Sequence, residues 1–398
     1  MKPANLSGIG LVTALLAAST AATAAELPSQ QEMWEIIQKQ QREIEALKAG
    51  QKETAEKAEA AVEVAEQSQE STTASSGWTE NTRIGGYGEL HYNNLDSKKE
   101  MDLHRVIMFL DHEFSDRIRF ASEIEFEHDG DEVEVEQAYV EFDLNDSTQA
   151  KAGVFLVPAG ILNETHEPAT FYGVERNPVE TNIIPTTWWV GGASLGGQIG
   201  DSGFSYDLAV HEGLKTSAAN DYKVRKGRQK TIEADANDLA YTGRIRWTGL
   251  PGVELAATAQ YQQDVTQGTD PAAGHAWLFE AHTRIERGPL ALRALYAFWT
   301  LDGNGPDSIG ADEQTGFYVE PSYRFSLFSQ NLGVFARYNQ WDNQAGSSRF
   351  DSGKKQYTAG LNYWPHPGVV LKADVQQQDN DGNQKNDNGF NLGVGYQF

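Results

Sequence analysis

Arg83-Ile84-Gly85-Gly86-Tyr87-Gly88-Glu89-Leu90-His91-Tyr92 reads with a period of two: Ile84, Gly86, Gly88, Leu90 and Tyr92 make one small or apolar face, and Arg83, Glu89 and His91 lie on the other. A β-strand is the element whose successive side chains point to opposite sides. The pattern recurs down the chain. Ile118, Phe120, Ile124 and Phe126 alternate with Arg117, Arg119, Glu123 and Glu125; Leu239, Tyr241, Ile245 and Trp247 alternate with Arg244 and Arg246; Leu290, Leu292, Ala294, Tyr296 and Phe298 flank Arg293. A soluble sandwich turns its polar face to bulk water, whereas a transmembrane barrel turns it to a lumen and its apolar face to lipid.

Connection lengths separate the two. Sixteen strands are expected, near 82–92, 103–113, 117–127, 134–144, 149–157, 189–199, 203–211 and 239–247, then 253–263, 275–286, 289–299, 315–325, 331–341, 355–364, 368–378 and 388–398. Short turns such as Asn145 to Thr148, Gly200-Asp201-Ser202, Thr248 to Gly252 and Pro365-His366-Pro367 interleave with long acidic or glycine-rich loops. Such sidedness belongs to outer-membrane barrels, and an even strand count closes the sheet without an exposed edge. The fold expected is therefore all-β, a 16-stranded antiparallel transmembrane β-barrel over residues 77–398. Its last strand alternates Phe390, Leu392, Val394, Tyr396 and Phe398, which is similar to the C-terminal signal of barrel-assembly clients. Trp247, Trp277, Trp299 and Trp364, with Tyr261, Tyr338 and Tyr363, are expected near strand ends as an aromatic girdle.

Ahead of the strands the composition differs. Met1 and Lys2, the apolar run Ile9 to Ala18, and Ala22-Thr23-Ala24 read as a cleaved signal peptide over 1–24. That run falls short of the roughly 20 residues that a membrane-spanning helix needs. Residues 25–76 read as a periplasmic coiled-coil segment and linker, with Met33, Ile37, Ile44 and Leu47 as the seam, weakening toward Ala58, Ala61 and Ala65. A solvated charged helix without an assembly role is the alternative. Ser71 to Ser76 is the linker. There is no cysteine, hence no lipid anchor, disulfide framework or thiolate site. Hydrophobic residues are 39% of the chain and the mean hydropathy is −0.54, as in a soluble acidic protein; barrels share this profile because half of every strand faces water.

The connection after the fifth strand is the most distinctive stretch. It runs Gly153-Val154-Phe155-Leu156-Val157-Pro158-Ala159-Gly160, passes Glu164, His166, Glu167 and Pro168, and continues through Phe171-Tyr172-Gly173-Val174-Glu175-Arg176-Asn177 to Ile183-Ile184-Pro185-Thr186-Thr187-Trp188. Together with Gly86-Tyr87-Gly88-Glu89, it resembles the phosphate-selective porin O and P family over roughly 82–398. The helical zone is similar in placement to the periplasmic coiled coil of DcaP-like trimeric dicarboxylate porins. The resemblance implies a homotrimer of sixteen-stranded barrels whose third long loop folds into the pore and narrows it.

That loop has four prolines and the apolar anchors Ile161, Leu162, Phe171 and Ile183, which suit an ordered segment. Charges on it would stand in a pore constriction: Glu164, Glu167, Glu175, Arg176 and Glu180. Ordinary solvated loop charges are the alternative. A lumen basic ladder is expected from strand parity at Arg105, Arg119, Arg244, Arg246, Arg284, Arg293, Arg324 and Arg337, opposed by Glu113, Glu123, Glu125, Glu127, Glu280 and Glu320. From residue 81 onward 26 basic residues face 45 acidic ones, which speaks against a purely phosphate-seeking channel and for the transverse field of a general porin. Lys223, Arg225, Lys226, Arg228 and Lys230 either gather anions at the mouth or clamp lipopolysaccharide phosphates, with the clamp favoured.

The function expected is a water-filled channel for small hydrophilic solutes in the bacterial outer membrane, including anions such as phosphate or dicarboxylates. No catalytic residue, cofactor, metal or nucleic-acid partner is expected. Gly192-Ala193-Ser194-Leu195-Gly196 matches a nucleophile motif but lies inside a strand, and the nine histidines show no metal-ligand spacing. Asp379-x-Asp381-x-Asn383 opens like a calcium loop without its glycine or closing glutamate. An outer-membrane lipase or protease barrel and a secreted adhesive β-protein are the other classes to separate.

Overall fold

The computed structural model describes residues 81–127, 132–327, 330–382 and 384–398, together with Trp34, Gln38 and Gln41. The expected signal peptide and coiled-coil segment lie outside the described residues, apart from those three, whose backbone is helical.

The strands are β1 (Thr82–Leu95), β2 (Lys99–Ser115), β3 (Ile118–Glu127), β4 (Glu132–Asn145), β5 (Thr148–Leu156), β6 (Trp189–Gln198), β7 (Phe204–His211) and β8 (Ala240–Leu250). They continue as β9 (Val253–Gln262), β10 (Ala276–Arg287), β11 (Leu290–Leu301), β12 (Glu313–Leu327), β13 (Gln330–Asp342), β14 (Lys354–His366), β15 (Val369–Asn380) and β16 (Gly389–Gln397). Each pairs antiparallel with its neighbours, and β1 pairs with β16 to close the barrel. All sixteen expected strands are present. Phe398 adds to the closure by exchanging backbone hydrogen bonds with Gly86, at 2.9 and 3.1 Å. No described helix is long and apolar enough to cross a membrane.

Parity sorts the side chains as the sequence implies. Leu90, Leu208, Ile245, Leu255, Phe279, Tyr296, Val319, Val334, Leu361, Leu371, Leu392 and Val394 are exposed on the outer wall, while Glu89, His91, Asn93, Arg244, Gln260, Glu280, Arg337 and Asn391 are buried on the inner one. An apolar belt running around a closed barrel is what lipid contact requires; in water it would be an aggregation surface. On β2 the parity shifts at a bulge opposite Glu89 and Leu90, so that Met101 and Leu103 stay outside on one side of it and Met108 and Leu110 on the other.

The girdle needs correction at two positions. Tyr261 packs tilted on Trp277 (ring centroids 4.7 Å apart), and Trp277, Phe279 and Phe298 stack in turn on the outside. Trp299 and Trp364 are buried inside. Their own parity says so: Trp299 shares a face with Arg293, and Trp364 shares one with Asn362.

Among the described residues the connections at one end are short, such as 116–117, 251–252, 288–289 and 367–368. At the other end lie the third loop, 157–188, the fourth, 212–239, and the loops 263–275, 302–312 and 343–353. If the long loops face outward, cysteines at Ser308 and Ser347 are expected to react with an impermeant maleimide on intact cells, and one at Ser202 is expected to stay silent. Labelling at Ser202 would invert the topology.

Candidate functional site

The third loop packs onto the inner wall. Val157, Ile161, Leu162, Phe171, Val179, Ile183, Ile184 and Trp188 form one buried cluster with Leu278, Leu295, Trp299, Tyr318 and Trp341. Burial of each large side chain contributes roughly 1.5–3 kcal/mol, so these anchors hold the segment against the lumen wall. The wall makes room for it. A Cβ on Gly333 would stand 2.4 Å from the Tyr172 hydroxyl, and one on Gly395 would stand 2.5 Å from Pro168.

Within the loop, Asn177-Pro178-Val179-Glu180 starts a short helix, α1 (Pro178–Asn182). Asn177 caps it by accepting from the Glu180 N–H at 2.9 Å, and proline sits where an amide hydrogen would be superfluous. Polar ties complete the docking. Arg105 donates to the His166 carbonyl (2.8 Å), Arg293 to Thr170 (2.8 Å), Arg337 to Tyr172 (3.1 Å), and Asn362 to Phe171 (3.0 Å). Trp299 donates to Ile183 (2.8 Å), and the Val174 N–H donates to Asp374 (2.7 Å).

The five loop charges part ways here. Glu180 is fully buried: its carboxylate accepts the backbone N–H groups of Ile161 (2.9 Å) and Leu162 (2.5 Å) and the Tyr318 hydroxyl (2.7 Å). Burial pushes its pKa up, and these donors oppose the shift. It organises the loop and does not line the lumen cavity. Glu164 pairs with Arg244, and Glu167 also stays off that cavity. Glu175 and Arg176 do line it, a space of about 300 Å³ between the third loop and the wall. Burial would raise the Glu175 carboxyl, but hydrogen bonds from His91 (3.3 Å) and Asn93 (2.9 Å) bring it down to about 2.

The eight strand arginines do not form one ladder of free cations. Arg105 binds Glu89 (2.7 Å), Arg119 binds Glu141 and Asp143 (2.7 Å each), and Arg337 binds Glu320 (2.9 Å). Arg244 takes Asp207 (2.8 Å) as well as Glu164, and Arg284 lies 3.8 Å from Glu254. Arg324 stacks on Trp364 at 4.4 Å, Arg246 reaches the Ser205 hydroxyl at 3.4 Å, and Arg293 holds the loop. Local parity put these residues inside, but carboxylates from neighbouring strands face the same lumen and neutralise most of them.

Sequence reading underrated Arg225 and Arg228 of the fourth loop. Both turn inward instead of out toward lipid headgroups. Arg225 donates to the carbonyls of Thr181 and Thr186 (2.8 Å each), Arg228 donates to that of Thr187, and Arg176 donates to the Thr187 hydroxyl (2.7 Å). Among the described residues, none of the three guanidiniums has a carboxylate oxygen within 4.0 Å. Burial first, and then the charges of Arg228 and Arg176, push Arg225 down to about 9. Lys230 is committed to Glu134.

A closed barrel with an apolar belt, a charged lumen and a long loop packed inside it defines a porin, a water-filled outer-membrane channel for small solutes. The chain belongs to the family described as phosphate-selective porin O and P, whose profile matches residues 85–398. An uncharacterized protein of Aquifex aeolicus (strain VF5) is 32% identical, over 76% of this chain and 77% of its own. Among solved structures, the outer-membrane channel DcaP of Acinetobacter baumannii has a TM-score of 0.54 at 15% identity, covering 80% of this chain and 97% of that one. The in-vitro folded, trimeric form of OmpT of Vibrio cholerae has a TM-score of 0.53 at 12% identity, over 80% and 99% of the two chains. OmpF of Salmonella typhi in complex with daunomycin also has a TM-score of 0.53, at 13% identity, over 80% and 98%. These likenesses carry the barrel fold.

Proposed function

We propose that the pore prefers small anions, of the carboxylate or phosphate kind, and that the preference is set where Arg176 of the third loop meets Arg225 and Arg228 of the fourth. The observation that carries this reading is three adjacent guanidiniums without a carboxylate partner among the described residues, two of which, Arg176 and Arg225, line the lumen cavity. A guanidinium fork matches the paired oxygens of a carboxylate or phosphate, and replaces the water such an ion sheds in a narrow passage. The net acidic balance of the chain does not oppose it, because many lumen acids are engaged by Arg105, Arg119, Arg244 and Arg337. Glu175 and Arg176 are the constriction charges; Glu164 and Glu180 tie the loop down, and Glu167 takes no part in either.

The assembly proposed is a homotrimer, as stated for OmpT of Vibrio cholerae, with the Met33, Ile37, Ile44 and Leu47 seam as a periplasmic stalk after removal of the signal peptide. Lys226 remains for lipopolysaccharide phosphates at the outer end, since Lys223 pairs with Asp221 at 2.8 Å. The test is a reversal potential of purified protein in planar bilayers under a potassium chloride gradient. A sign reporting chloride over potassium is expected. A potassium preference would reject the anion reading.

A further inference from the structure

His166 lies in the third loop, yet its ring is inserted between two adjacent strands of the wall. Its Nε2 is 3.1 Å from an oxygen of Glu136 on β4 and 3.4 Å from an oxygen of Glu123 on β3. The three side chains are 2%, 1% and 3% exposed, and the three donor atoms fall within 4.8 Å of one another. Distances of 3.1 to 3.4 Å are close to the edges of a tetrahedron whose centre is about 2.0–2.1 Å from each corner, the bond length of zinc to imidazole nitrogen or carboxylate oxygen.

The surroundings favour such an ion. The other ring nitrogen, Nδ1, faces the Asn163 carbonyl at 3.1 Å, the outer hydrogen bond that leaves Nε2 with its lone pair for a metal. Glu123 is oriented by the Tyr87 hydroxyl (2.8 Å) and the Gln137 amide (2.6 Å). Arg105, fully buried, is spent on Glu89 at 2.7 Å, which His91 also holds at 3.1 Å, and lies 3.9 Å from the buried Glu125. Among the described residues neither Glu123 nor Glu136 has an arginine or lysine nitrogen within 4.0 Å, so a cation held at His166 Nε2 would balance charge that no such ion pair does.

We propose that Glu123, Glu136 and His166 bind a divalent transition metal of the zinc class, which staples the third loop to the wall between β3 and β4. One imidazole with two carboxylates suits zinc or cobalt, whereas calcium and magnesium take six or more oxygens. The site is separate from the lumen cavity, which none of the three lines. It does not depend on which solute the pore prefers.

The test folds the full chain from urea into detergent with cobalt(II) present and then removes free metal. One cobalt per chain is expected, with the strong visible absorption of four-coordinate cobalt, displaceable by zinc, and lost in Glu136→Gln and in His166→Gln variants that still migrate as heat-modifiable barrels. No uptake by the wild type, or uptake unchanged in both variants, would overturn the proposal and leave a protonated His166 held by the two carboxylates. If neither variant folds, X-ray absorption of the zinc-loaded wild type decides. One imidazole with oxygen neighbours supports the site; an all-oxygen shell, or several imidazoles, refutes it.

Discussion

Replacing Arg176 by glutamate is expected to cut the anion-to-cation permeability ratio about tenfold or more and to move the reversal potential toward the cation side. Arg176 lines the lumen cavity, has no carboxylate partner among the described residues, and is held in place by the Thr187 hydroxyl at 2.7 Å. A unit charge about 8 Å from the ion path, at an effective dielectric constant of about 40, is worth about 1 kcal/mol. Charge reversal doubles this to about 2 kcal/mol, roughly thirtyfold against an anion and as much in favour of a cation, before ionic screening reduces both. Asp307, exposed on an outer loop, is the control: Asp307→Lys is expected to shift the ratio by less than about twofold, because bulk water screens it. Equal shifts in the two variants, or none in either, would move the selectivity away from the third loop and toward Arg246 and Arg293.

The second large effect is expected from Glu180→Ala. Removing this carboxylate leaves the Ile161 and Leu162 N–H groups and the Tyr318 hydroxyl without their acceptor in a dry interior. Each orphaned donor costs about 1–3 kcal/mol, so the loop loses several kcal/mol of docking. The barrel keeps its strand ladders, because none of them runs through Glu180. Single-channel conductance should therefore rise about twofold and become noisier, while heat-modifiable migration stays that of a folded barrel. Glu180→Gln, which keeps the volume but turns an amide toward donors, should fall between. A folded Glu180→Ala barrel with wild-type conductance and noise would mean that Glu180 does not hold the loop in the pore.

How far the site could be read without coordinates differs residue by residue. The third loop stood out through its prolines and apolar anchors, and Asn177-Pro178-Val179-Glu180 carried a helix-start signal in plain view. The role of Glu180 did not: a glutamate at the third helical position reads as a surface charge until Tyr318, 138 residues away, is found against it. Arg225 and Arg228 belonged to a basic run that fits a headgroup clamp equally well, and only their contacts with Thr186 and Thr187 turn them toward the pore. Trp299 and Trp364 were legible, and the strand parity already placing Arg293 inside places Trp299 with it.

The barrel was legible in the chain alone: which residues are strands, which face of each meets lipid, how many strands close the sheet, and at which end the long loops lie. These properties are local, repeating every two residues and punctuated by turns, so a short window of chain contains them. Which lumen charges are free and which are spent became visible only in the folded barrel. That depends on what stands opposite each side chain across strands and loops distant in sequence. Arg244 meets Glu164, Arg105 meets the His166 carbonyl, and His166 meets Glu123 and Glu136 only because barrel closure and loop docking bring them within hydrogen-bonding distance. A charge is silenced or left active by its partner, and no periodicity encodes a partner.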